Sequence, residues 1–241
     1  SGFKNKFFEK EKIADGKITL IRVWSYMAEN SGVIRRIFDH LSYAILSAFF
    51  GLFQKFDAVI ATSPQFFTTW SACFLSKIKR KPWIFELRDL WPESIESLGV
   101  IKNKSILKFL ERIEIFLYND ANLVIALTQS FKNNLISRGI NSNKIHVVTN
   151  GVDLNIYNPK IKSNELNNNL NLKNKFVIGY YGTHGIAHGL DFIIDSNYKM
   201  KNDDLHFLFV GDGSEKKKLK LLSEKYNCQN ITFIDSLSED N

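Results

Sequence analysis

The chain has 241 residues, long enough for one large domain or two modest ones with a real core. Hydrophobic residues at 44% and charged residues at 24% are globular values that fit neither a disordered tail nor a membrane channel. Lys and Arg total 32 against 25 Asp and Glu, and the resulting +7 charge and pI of 9.2 favour anionic partners without choosing among nucleotides, nucleic acid and acidic lipid.

The opening residues 1–12 are charged and lack the continuous apolar stretch of a signal peptide. Compact apolar runs then predict strands buried on both faces at 18–23, 58–61, 83–87, 123–127 and 145–148. Between them the spacing predicts helices over 33–53, 66–77, 105–118 and 130–138, the last closed by Gly139. Residues 41–53 form the most apolar stretch, short of the roughly 20 residues a spanning helix needs. With Arg35, Arg36, His40 and Lys55 at its flanks, this stretch reads either as a buried core helix or as one that also touches a membrane surface. The basic run 77–81 reads as a solvated loop or as a contact for an anionic membrane or substrate.

The alternation breaks at 150–174, where Pro159 and an asparagine-rich run predict an interdomain connection and a surface loop. It resumes with strands at 176–181, 205–210 and 231–234 and helices at 190–200 and 215–226. The organisation expected is an N-terminal domain over 1–149, a linker over 150–175 and a second domain beginning at 176–241. Cys73 and Cys228 show neither disulfide nor zinc spacing, which fits a reducing cytoplasm.

Open parallel sheets bind ligands beyond the carboxyl ends of their strands, so the residues that follow each strand are the candidates. Gly182, Thr183, His184 and Gly185 stand between a strand and a helix, where free N–H groups can cradle a phosphate. His184 and His188 are four apart, as metal ligands on a helix can be, but the glutamate of His-Glu-x-x-His is absent. Donors to a diphosphate are the preferred reading, and no metal or cofactor is expected. Gly211-Asp212-Gly213 follows the next strand and permits close approach to backbone. In the first domain, Glu86, Arg88, Asp89 and Glu93 gather at one strand end, where Arg88 either pairs structurally with a carboxylate or serves catalysis and acceptor positioning. No Walker loop, Gly-x-Ser-x-Gly elbow, Cys-x-x-Cys or Asp-x-Asp occurs, the last arguing against a metal-dependent sugar transferase.

Five strings occur together in one order: Val59-Ile-Ala-Thr-Ser-Pro64, Phe85-Glu-Leu-Arg-Asp-Leu-Trp-Pro-Glu-Ser94, Asn150-Gly-Val-Asp153, Gly182-Thr-His-Gly-Ile-Ala-His-Gly-Leu-Asp191 and Phe209-Val-Gly-Asp-Gly213. Together they resemble family 4 of the retaining GT-B glycosyltransferases, in the branch that builds bacterial O-antigen and capsule and includes fucosamine transferases.

The resemblance implies an α/β fold of two Rossmann-like parallel-sheet domains facing a cleft. The N-terminal domain would bind a saccharide or polyprenyl-linked acceptor and the C-terminal one a UDP-type or GDP-type sugar, at the cytoplasmic face of the inner membrane. It places Gly182, Thr183, His184, Gly185 and His188 by the donor diphosphate, Gly211, Asp212 and Gly213 by the nucleoside, and Asp235 near the base. Asp89 and Arg88 become the catalytic candidates, and Ser63, Glu93, Asn150 and Gly151 the cleft and linker residues.

Where many members carry a His-Asp pair this chain has Arg88-Asp89. Members begin before the point that Ser1 resembles and continue past Asp240, so the chain is expected to be the middle of an enzyme, inactive alone. Two alternatives stay open, a GT-B-like nucleotide-sugar 2-epimerase and a basic membrane-binding or nucleic-acid-binding protein, the latter without a recognised nucleic-acid module.

Overall fold

The computed structural model describes residues 6–27, 33–63, 66–90, 103–155, 157, 172 and 175–237, without the side chains of 33, 34 and 36. The chain divides into two compact units, Ser1–Gly151 and Val152–Asn241.

Unit one runs β1 (Phe8–Ile13), β2 (Ile18–Val23), α1 (Val33–Gly51), β3 (Val59–Thr62), α2 (Phe66–Lys79), β4 (Trp83–Leu87), α3 (Lys104–Asp120), β5 (Leu123–Ala126), α4 (Gln129–Ser137) and β6 (Ile145–Val147). Strands β3-β4-β5-β6 form a parallel sheet in that order. Its strands show one sealed face rather than the two expected: Trp83, Phe85 and Leu87 are buried while Ile84 and Glu86 between them are only half so. The sealed face packs with Phe66 and Ala72 of α2, Leu117 and Tyr118 of α3 and Leu135 of α4. Helix α3 starts where the Asn103 side chain accepts from the Ser105 and Ile106 amides, and α4 where Thr128 accepts from Phe131, which satisfies N–H groups that the first turn leaves free.

A second expectation is overturned. Residues 18–23 do not join the parallel sheet but pair antiparallel with β1 in a separate hairpin. Gly16 at φ +80° turns the chain, and Glu9 lies directly opposite Arg22, which also reaches Glu11 at 2.8 Å. β1 itself, Phe-Glu-Lys-Glu-Lys-Ile, carries no apolar alternation that would announce a strand, and cross-strand pairing of its charges supports it instead.

Helix α1 is buried on one side and exposed on another. Ala44 is buried, its carbonyl accepting from the Ser71 hydroxyl of α2 at 2.7 Å, whereas Phe38, Ile45 and Phe49, together with Phe53 just beyond the helix, stand half or more exposed. Among the described residues no helix is long and apolar enough to cross a membrane.

The basic run 77–81 is largely spoken for: Lys77 meets Asp120 at 2.6 Å, Lys79 the Gln54 carbonyl at 2.6 Å and Lys81 Asp57 at 3.3 Å. Asp120 also accepts from the Trp83 indole and the Cys73 thiol, both at 3.1 Å. Burial and then this bond push Cys73 up to about 11, so it remains a thiol, and Cys73 and Cys228 are both free.

Unit two runs β7 (Phe176–Tyr181), α5 (Leu190–Met200), β8 (Leu205–Val210), α6 (Lys216–Lys225) and β9 (Ile231–Ile234), the strands forming a parallel sheet in the order β7-β8-β9. Its core joins Phe207 and Phe209 of β8 to Leu190 and Ile194 of α5 and Leu219 of α6. Of the proposed linker, only 150–155, 157, 172 and 175 lie among the described residues.

The buried polar centre of unit one yields a prediction. Glu114, 1% exposed, accepts from Arg138 at 2.6 Å and from the Tyr118 hydroxyl at 2.6 Å. Removing the carboxylate leaves a guanidinium half-buried without its main counter-ion, so Glu114→Ala should cost about 3–5 kcal/mol in urea unfolding. Glu11→Ala, which breaks the exposed pair with Arg22, should cost no more than about 1 kcal/mol.

Candidate functional site

Two groups of candidate residues form at strand carboxyl ends, one in each unit. In unit one, Ser63 follows β3, Arg88 and Asp89 follow β4, and Asn150 lies beyond β6. Ser63 is buried; its amide donates to the Glu86 carbonyl and its hydroxyl accepts from the Arg88 amide, both at 3.0 Å. The Arg88 guanidinium then donates to the Asn150 side chain at 2.9 Å. The guanidinium partner is thus an amide oxygen and not the carboxylate of the structural reading.

Asp89 is half-buried at the same strand end, and the Thr62 hydroxyl donates to Glu86 one residue before Ser63. Beside Thr62 and Ser63 opens a cavity of about 570 Å³ that reaches Ser25 and Tyr43. Gly151 is exposed with open space about it, and Glu93 lies outside the described residues.

In unit two the two glycine loops meet backbone to backbone. Gly182 donates to Val210 O and His184 to Asp212 O, both at 2.9 Å, and Glu215 returns a bond to His184 O at 2.9 Å. A Cβ on Gly211 would lie 1.9 Å from Gly182 O, and one on Gly213 would lie 2.4 Å from His184 O. Gly211, at φ +140°, also adopts a conformation that side chains resist. Only glycine permits this contact. With those amides engaged, the N–H groups of Thr183, Gly185, Ile186 and Ala187 have no partner among the described residues and lie on an exposed turn that leads into α5. Such a run of free donors ahead of a helix has the geometry that can receive an anion.

The two histidines part company. His188 is exposed on this turn. The His184 ring is fully buried against Tyr180, Phe209 and Phe233, and neither ring nitrogen has a hydrogen-bond partner among the described residues. The expectation of a His184 ring donor to a diphosphate is therefore corrected: apolar packing takes the ring inward, and His184 contributes its backbone. Burial, and next the Lys216 ammonium, hold this imidazole below its usual 6.5.

Asp212 is exposed and turns its carboxylate back to the Gly213 amide at 2.8 Å. Asp235, also exposed, accepts from Lys216 Nζ at 2.6 Å, which holds its carboxyl below the usual range.

Sequence reasoning missed two residues here. Tyr180 donates from its hydroxyl to Thr183 O at 2.8 Å and braces the first loop. Lys216 is buried at the start of α6, and its signal was available: a lysine in the first turn opposes the helix dipole.

Residues 8–156 match the family described as Glycosyltransferase Family 4. The chain is 23% identical over 239 residues to a protein of Escherichia coli K12 named as a colanic acid biosynthesis glycosyl transferase, WcaI, with 95% of the chain and 58% of that protein covered. Among solved structures it is similar to Anabaena Alr3699/HepE, crystallised with UDP and glucose, at TM-score 0.67 and 19% identity over 90% of this chain and 56% of that one. A sucrose-phosphate synthase from Thermosynechococcus elongatus is similar at TM-score 0.68 and 11% identity, over 96% of this chain and 58% of that one. These likenesses show the fold, that of GT-B glycosyltransferases. The chain spans a little over half the length of each of these three proteins.

Two predictions arise from unit two. Gly211→Ala should destabilise unit two, read by calorimetric unfolding, while Gly139→Ala in unit one, strained by its φ of +88° but free of close neighbours, should weaken unit one alone. His184, and His206 through burial and then Lys175, are both held below the usual 6.5 in the fold. The unfolded chain therefore binds more protons below about pH 6.5, and stability is lost as the pH falls through that value. Melting at about pH 7.5 and at about pH 5.5 should show unit two unfolding earlier in acid, with His184→Phe flattening the difference.

Proposed function

The chain belongs to glycosyltransferase family 4, and on that premise we propose that it is part of an enzyme that transfers a sugar, with retention, from a nucleoside diphosphate to a saccharide or lipid-linked saccharide in bacterial surface polysaccharide synthesis. The observation that carries the reading is the interlocked pair of glycine loops with four unpaired amides on one turn.

In such a reaction the bond between the anomeric carbon and the diphosphate oxygen breaks, and the departing diphosphate gains negative charge. Fixed N–H donors aimed at that charge stabilise it without reorganising. The amides of Thr183, Gly185, Ile186 and Ala187 are the donors, with His188 beside them. The nucleoside lies toward Gly211, Asp212 and Gly213. In unit one, Asp89 orients the acceptor hydroxyl, and the Ser63–Arg88–Asn150 chain of hydrogen bonds fixes the strand end on which Asp89 stands.

A peripheral membrane contact fits a lipid-linked acceptor. The support is the exposed row Phe38, Ile45, Phe49 and Phe53, with exposed Arg35 and Lys55 at its ends.

Titration of the chain with UDP and GDP, each with and without EDTA, tests the donor site. Binding of one diphosphate that EDTA leaves unchanged is expected; failure of both to bind would remove the support for the reading. In the full-length enzyme, Asp89→Asn should lower turnover by about 10²-fold or more with little change in donor affinity, measured by steady-state kinetics. Flotation with phosphatidylglycerol-rich vesicles should carry the chain upward, and Phe49→Ser with Phe53→Ser should leave it in the soluble fraction.

A further inference from the structure

We propose that Lys216 is the positioning residue of the two glycine loops: its buried ammonium fixes Gly211 and, through it, the shape of the Gly182–Gly185 turn that meets the diphosphate. The ligand in this statement rests on the reading just given; the positioning does not.

Lys216 opens α6 and is 7% exposed. Both features run against a lysine. A positive charge in the first turn is repelled by the partial positive charge of the helix start, and here Lys217 and Lys218 follow directly. An ammonium out of water is tolerated only when its donors are met. All three are: Nζ donates to Gly211 O at 2.6 Å, to Ile234 O at 3.1 Å and to the Asp235 carboxylate at 2.6 Å. A lysine has no fourth donor, so the tripod is saturated.

Its feet stand on the carboxyl ends of β8 and β9, which no other described side chain joins by hydrogen bonds at this point. Holding Gly211 O sets the plane of the Gly211–Asp212 peptide. That peptide stands between two contacts with the first loop: Gly211 lies flush on Gly182 O, and Asp212 O accepts from the His184 amide at 2.9 Å. One turn later Gly213 lies flush on His184 O, which accepts from Glu215 beside the lysine. The lysine thus reaches the first loop through the second without touching it. The same charge adds to the depression of the buried His184 imidazole and so helps to keep that ring neutral and in place.

The test compares the chain with its Lys216→Met and Lys217→Met variants. Lys217 is exposed, carries the same charge one residue on, and serves as the control for charge alone. Amide hydrogen exchange reads the positioning, and UDP titration reads its purpose, with exchange at Leu208 in the β8 core as the check that unit two remains folded. In Lys216→Met the Gly182 and His184 amides should exchange about tenfold or more faster and UDP should bind about tenfold or more weaker, with neither change in Lys217→Met. Lys216→Arg, which keeps charge and donors, should recover part of the protection.

Unchanged exchange at Gly182 and His184 in Lys216→Met would overturn the proposal whatever UDP does. Lost protection with undiminished UDP binding would overturn the link to the ligand. Failure of the unaltered chain to bind UDP and GDP alike, with protection lost in Lys216→Met, would uphold the positioning and overturn the nucleotide reading. Should Leu208 lose protection as well, Asp235→Asn, which removes one foot and leaves both carbonyl bonds, replaces it: a smaller rise in exchange at the same two amides supports the proposal, and none overturns it.

Discussion

The contact on which unit two depends is a backbone meeting of two loops, with Gly211 set where any Cβ would strike Gly182 O. Side chains cannot mediate so close an approach, and the approach is what determines which amides are left over. Gly182 and His184 give their N–H groups to the second loop, so the donors on the turn beyond are those with no other use. The candidate anion site is in this sense a remainder of the fold. It exists because parallel strands end side by side and because glycine lets the loops that follow them share a surface.

Unit one solves a related problem with side chains. Ser63, Arg88 and Asn150 belong to three different strand ends, and a serine hydroxyl, a guanidinium and an amide link them into one chain of hydrogen bonds. Such links are directional and so hold a neighbouring carboxylate, Asp89, in a defined setting. The sealed core beneath, from Trp83 through Tyr118 to Leu135, supplies the rigid base. The apolar row Phe38, Ile45 and Phe49 of α1, with Phe53 just beyond it, lies outside this core and stands half or more exposed.

Much of this was legible in the sequence because alternation of apolar runs and amphipathic segments is a local signal. Strands β4, β7, β8 and β9 and helix α5 have the limits that their periodicity predicts, and the other helices differ by a few residues at their ends. What failed was non-local. An apolar run such as Ile18–Val23 announces a strand but not its partner, and here the partner is a hairpin arm whose charges conceal it. The glycine strings were visible, yet their mutual contact was not, since it depends on two strands being neighbours. His184 illustrates the limit best: a polar residue in a glycine loop invites a ligand role, and only packing against Phe209 and Phe233 shows that its ring faces the core. The match of residues 8–156 to glycosyltransferase family 4 favours the transferase over the epimerase of GT-B-like fold and over the nucleic-acid reading that the charge left open.

In the proposed reading the free amides of the first glycine loop hold the diphosphate, and backbone chemical-shift mapping of the labelled chain on addition of UDP reports on them one by one. The largest shifts are expected at Thr183, Gly185, Ile186 and Ala187, with smaller ones at Gly211 to Gly213. Shifts gathered instead around the cavity of about 700 Å³ at the amino ends of the unit-two strands, beside Lys175, Asn202 and His206, would contradict it.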